Sequence, residues 1–163
     1  MLNRRTAIRD GIGVLAILAA GRGWTASPAR AAGDQPVLLS DAEWRRRLTP
    51  DQYAVLRHEG TERPFTSPIL HEERSGAFAC VGCELPVFSS KTKFDSRTGW
   101  PSFWAPVDGA VAETLDTSFG TKRTAISCRR CQGHLGHVFK DGPKPTGLRY
   151  CMNGVALKFL PAA

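Results

Sequence analysis

No apolar run in this 163-residue chain is long enough to cross a membrane. The N-terminal run, Gly11 to Gly21, falls short of the roughly 20 residues that a spanning helix needs. No stable membrane span is expected. No internal repeat and no long low-complexity tract is present, so solenoid and linker architectures are excluded and the length suits one domain. Strong charge of one sign is lacking as well, once the N-terminus is set aside. Residues 1–31 carry Arg4, Arg5, Arg9, Arg22 and Arg30 against Asp10, which leaves only +3 of the overall +7 to the remainder. That argues against a nucleic-acid partner. Cysteine is also scarce: of five, four fall in two C-x-x-C pairs and one stands alone.

The first 31 residues resemble a twin-arginine export signal. Arg4-Arg5 precedes the short, glycine-containing apolar run, and Ala29-Arg30-Ala31 offers small residues at signal-peptidase spacing. The expected location is therefore periplasmic or exported, with membrane anchoring if the signal is not cleaved. Export of a folded domain suits a protein that must collect metal on reduced thiolates before meeting oxidant. Residues 32–38 read as a flexible start, and 39–163 as the functional domain.

Ser40-Asp41-Ala42-Glu43 is a capping box that starts a short helix to about Arg47. Thr49-Pro50-Asp51-Gln52 starts a second, which stops near Gly60. From Pro64 the helical period is gone. Short apolar segments (76–79, 87–88, 105–107, 111–112, 124–126, 137–139, 148–152 and 155–159) lie between glycine and proline signals. They predict a compact, mainly antiparallel β domain. Residues 141–147 form a rigid Gly/Pro loop that leads back to the lone cysteine.

Cys80-x-x-Cys83 and Cys128-x-x-Cys131 each place two sulfurs on one tight turn, and two such turns complete the tetrahedron of a structural zinc ion, one per chain. Disulfides within the pairs would close very short rings and add little stability. Thioredoxin-like chemistry would need a βαβ setting that is not visible. The odd thiol, Cys151, is a candidate nucleophile. In a strand, Arg149, Cys151 and Asn153 share one face, so a cation and an amide flank the sulfur, and the cation favours thiolate. The alternative is a buried, inert cysteine. His134 and His137 follow the second knuckle and can exchange protons near neutral pH. His58 and His71 read as surface residues. Trp100, in the stiff turn 99–104, offers an indole wall for a small apolar group.

These segments together — Gly99 to Phe103, His134 to Pro143, Pro145 to Asn153 and the two knuckles — resemble the B-type methionine sulfoxide reductases, over essentially all of the chain after the signal. The resemblance implies two antiparallel sheets with short N-terminal helices, stapled by zinc. It implies reduction of methionine R-sulfoxide in oxidised proteins or as the free amino acid, as repair after oxidative stress. It assigns Cys151 as nucleophile, surrounded by His134, His137, Arg149 and Asn153. Of the two histidines we favour His137 as proton donor. Trp100 would contact the substrate methyl, and Phe139 is grouped with it as a substrate-lining residue. Two positions depart from the family. Thr98 stands where many members place a resolving cysteine, so an external thiol reductant, such as a thioredoxin-like protein, is expected. Gly154 stands where serine is common, which predicts a looser turn.

Overall fold

The computed structural model describes residues 35–162; the signal, its cleavage site and the start of the flexible segment lie outside them. The two expected helices are present. Ser40 caps α1 (Asp41–Arg47) and Thr49 caps α2 (Pro50–His58), each with its reciprocal side-chain partner, Glu43 or Gln52. The basic last turn of α1 is exposed, while Trp44, Tyr53, Val55 and Leu56 are buried. Leu56 lies against both cysteine knuckles, so close that a Cβ on Gly82 or Gly133 would meet its Cδ2 at 2.9 or 3.0 Å.

Among the described residues nine strands follow. A three-stranded antiparallel sheet has the order β2 (Pro86–Ser89), β1 (Gly76–Cys80), β9 (Leu157–Pro161). A six-stranded antiparallel sheet has the order β3 (Lys93–Phe94), β4 (Ser102–Phe103), β8 (Arg149–Met152), β7 (His134–Phe139), β6 (Arg123–Cys128), β5 (Val111–Asp116). The sheets meet through aromatic side chains. Phe88 of the small sheet stacks on Phe103 of the large one at 4.4 Å, and Phe78 packs edge-on against Phe103 at 5.1 Å. All three rings are fully buried. The architecture is the expected two-sheet β domain.

Two details differ from the pattern read in the sequence. Residues 105–107 are not a strand; Pro106 has no N–H to give to a ladder, and Val107 instead donates to Val87 O at 2.9 Å. Conversely, β4 arises inside the Gly99–Trp104 turn, because Ser102 and Phe103 pair with Cys151 and Tyr150 across the sheet.

Candidate active site

The knuckles fold alike. In each, the residue after the second cysteine, Glu84 or Gln132, takes a left-handed conformation (φ 61° and 59°) and returns its N–H to the first cysteine's carbonyl at 2.8 Å. The turn between β1 and β2 thereby faces the turn between β6 and β7. Sγ of Cys80 and Cys131 lie 3.6 Å apart, those of Cys83 and Cys128 3.4 Å, and all four fall within 4.8 Å of one another in a buried cluster. A tetrahedral thiolate zinc site with bonds of about 2.3 Å has sulfur separations near 3.8 Å. The cluster has the dimensions and donor chemistry to hold one metal ion.

The lone thiol sits elsewhere, in the middle of the large sheet. Register places Cys151 between Ser102 on β4 and His137 on β7. Alternation puts Arg149, His137, Phe139, Arg123 and Asp116 on the same face. Cys151, His137, Trp100, Phe139 and Asn153 line one cleft of about 150 Å³, together with Thr61 and Arg123. Five residues chosen from the sequence are thus brought together. The remaining two, His134 and Arg149, do not line this cleft.

His134 is buried, and its ring lies 5.2 Å from that of His137. It faces an adjoining depression with Arg57, Thr114 and Ser127. Burial, reinforced by repulsion from His137, pushes it down to about 4, so it is neutral near pH 7. Its Nε2 has no protein partner. Arg149 clasps Asp141 through Nε and one terminal nitrogen (2.9 and 2.8 Å) and covers the ring of Phe139 at 4.5 Å. Its charge is shared with that carboxylate. Burial pushes the Cys151 thiol up; Thr98, then Arg149 and Ser102, pull the other way, and burial prevails. Arg149 does favour the thiolate, as the sequence suggests, but desolvation is the larger effect.

Two neighbours, Asp116 and Glu62, were not visible in the sequence pattern. Asp116 accepts from or pairs with His137 Nε2 at 2.8 Å and binds Arg123 at 2.6 Å. Ser118, His137 and Arg123 hold its carboxyl well below the usual range. Glu62 binds the far end of the cleft. Its carbonyl accepts from Trp100 Nε1 at 3.1 Å, and its carboxylate accepts the N–H groups of Gly154 and Val155 at 2.5 and 2.9 Å. Thr98 lies against Cys151, with Oγ1 3.9 Å from Sγ. Asn153 is more committed than expected: Nδ2 donates to Leu135 O and Oδ1 accepts from Glu62 N, leaving one Nδ2 hydrogen for a ligand. The turn after it is not loose. A Cβ on Gly154 would meet Ser67 Oγ at 1.8 Å, so glycine is what lets this turn close.

Comparison with known proteins agrees with this geometry. The SelR domain family matches residues 48–161. A peptide methionine sulfoxide reductase MsrB of Pseudomonas putida (strain W619) is 58% identical over 120 residues, which cover 73% of this chain and 90% of the relative. The MsrB of Agrobacterium fabrum is 55% identical over 123 residues (75% and 91%), and that of Leptospira interrogans 52% over 121 residues (74% and 92%).

Proposed function

This chain belongs to the SelR domain family of MsrB-type oxidoreductases, and from that premise we propose that it reduces methionine R-sulfoxide, free or in oxidised proteins, through a sulfenic acid on Cys151. The observation that carries the proposal is the position of Cys151. It is the one thiol outside the four-cysteine cluster, and it sits between Ser102 and His137 beside the Trp100 wall.

The cleft suits the end of an oxidised methionine side chain. Trp100 and Phe139 receive the methyl group and the adjoining methylene, and the polar groups lie near the sulfur. The Cys151 sulfur attacks the sulfoxide oxygen–sulfur unit at sulfur. The transient sulfur–sulfur bond and the substrate S–O bond then break as oxygen passes to Cys151 as S–OH, so that the Cys151 sulfur is oxidised by two electrons and methionine leaves with the two it gained. The oxygen needs a proton as its charge develops. His137 is the proposed donor: Asp116 holds its ring through Nε2 and balances the charge of an imidazolium. The free hydrogen of Asn153 orients the oxygen or a bridging water, while His134, outside the cleft, stays neutral with its ring against that of His137.

Recycling requires two external thiols. The first attacks the sulfenic acid and releases water, leaving a mixed disulfide; the second resolves it to a disulfide and regenerates the Cys151 thiol. Beside Cys151 this chain offers a hydroxyl, Thr98, in place of a thiol. A thioredoxin-like protein is the proposed reductant.

Cys80, Cys83, Cys128 and Cys131 would hold a zinc ion, which supplies a cross-link between the two sheets and, with four protein ligands, no open position for substrate. Among the described residues no helix is long and apolar enough to cross a membrane. Export through the twin-arginine route is proposed from the signal alone; replacing Arg4 and Arg5 by lysine should strand the precursor in the cytosol, and normal processing without the Tat translocase would contradict it. The enzymatic reading is tested by turnover of each sulfoxide epimer with dithiothreitol, wild type beside Cys151→Ser. Activity confined to the R epimer and lost in the variant is expected; retained turnover in the variant would refute it.

A further inference from the structure

Beneath the Cys151 sulfur runs a chain of three hydroxyl groups. Thr98 Oγ1 lies 3.9 Å from Sγ, Ser96 Oγ 2.8 Å from Thr98 Oγ1, and Ser102 Oγ 2.7 Å from Ser96 Oγ. Ser102 is fully buried and donates to the carbonyl of Trp100 at 3.2 Å, where the chain ends. The line thus connects a thiol to a carbonyl through four contacts.

Counting hydrogens shows what such a line can do. With Cys151 protonated, four hydrogens (one on sulfur, three on oxygen) fill four contacts. Each points away from sulfur, toward the Trp100 carbonyl. With Cys151 ionised, three hydrogens remain for four contacts. Rotation of the hydroxyls lets Thr98 donate to sulfur and Ser96 donate to Thr98, with no heavy atom displaced. The carbonyl end cannot take a proton, so the line reorients around the sulfur's charge and does not conduct a proton away. A sulfenic acid O–H could rejoin it as a donor.

We propose that Thr98, Ser96 and Ser102 form a hydrogen-bond array that switches polarity with the ionisation of Cys151, and that Thr98 is a catalytic residue donating to its thiolate. The importance of Cys151 ionisation rests on the nucleophilic role proposed above; the array itself does not. Other charged groups around the sulfur are accounted for. Arg149 on the same strand is clasped by Asp141, and His137 across the ladder is held by Asp116 with Arg123 behind it. Glu62 is turned to the backbone of Gly154 and Val155. The loop carrying Thr98 also holds Asp95 and Arg97, both exposed, with the Arg97 backbone N–H donating to the Asp95 carboxylate. Among the groups that favour the ionised sulfur the Thr98 hydroxyl is the foremost, ahead of Arg149 and Ser102.

The test is the pH dependence of Cys151 alkylation by iodoacetamide in the zinc-loaded full chain, read by peptide mass spectrometry without substrate. A hydrogen bond to a charged group is worth enough to move a thiol by about one pH unit. Thr98→Val should raise the alkylation midpoint by about that much and slow the reaction at pH 7 about tenfold, while Thr98→Ser should restore the wild-type midpoint. Ser96→Ala, which removes the donor behind Thr98, should raise it by a smaller amount. An unchanged midpoint in Thr98→Val overturns the proposal. If that variant loses zinc or its fold, an unchanged midpoint in Ser96→Ala does so instead. Failure of the wild type to reduce R-sulfoxide would remove the enzymatic reading and leave the midpoint shifts to decide the array on their own.

Discussion

The backbone N–H of Glu62 donates to the side-chain oxygen of Asn153 at 2.9 Å, tying the segment before the large sheet to the residue two beyond Cys151. The same residue holds Trp100 through its carbonyl and the Gly154–Val155 turn through its carboxylate. One residue, far away in sequence, thus fixes three parts of the cleft.

Removing the carboxylate should therefore disturb both fold and reaction. Glu62→Ala leaves the buried N–H of Gly154 and that of Val155 without their acceptor, a cost of about 1–3 kcal/mol in denaturant unfolding. Displacement of Asn153 and Trp100 should lower kcat/KM on the order of tenfold or more. Glu62→Gln keeps one acceptor oxygen and should fall between. Wild-type stability and kcat/KM in Glu62→Ala would contradict this role.

Glu62 also shows where sequence reading stops. Capping boxes, knuckle spacing and the period-two face around Cys151 are local patterns, and each reappears in the structure at the expected residues. The contacts of Glu62 with residues 100, 153, 154 and 155, and of Asp116 with His137, link distant segments through sheet register, which no spacing announces. Gly154 is instructive in another way. In the sequence it reads as added freedom; in the fold it is a fit, because Ser67 occupies the space a side chain would need. Arg149 likewise promises a cation for the thiol, yet Asp141 shares it. The balance between burial and charge is a three-dimensional quantity.

His134 makes stability depend on pH. Its folded-state pKa is depressed to about 4 from 6.5, chiefly by burial. The unfolded chain therefore takes up a proton first as pH falls. The contribution is fully present above pH 6.5 and is lost as pH drops toward 4, to a total of about 3 kcal/mol. His134→Gln should flatten this part of the profile, so the stability difference between variant and wild type should change between pH 7 and 4 in the variant's favour. Zinc content is followed in parallel so that metal loss, common to both proteins, cancels. A constant difference across that range would contradict the assignment.

The four-cysteine cluster should be indispensable to the fold. Thiolate zinc binding contributes about 10–16 kcal/mol in small domains, as much as the whole stability of a typical one. Cys128→Ser should lose zinc, measured by atomic absorption, and unfold or melt far below wild type. A metal-free variant with the wild-type Tm would show that the cluster is not a metal staple.

The most direct test is a single turnover without reductant. The mature domain receives one equivalent of methionine R-sulfoxide, and both methionine and the protein mass are measured. One equivalent of methionine should form, with about 16 Da added at Cys151 alone, as expected for one oxygen atom, and a dimedone-type probe should trap the product. Formation of methionine with Cys151 unmodified, or with Cys151 in a disulfide to a knuckle cysteine, would contradict the account.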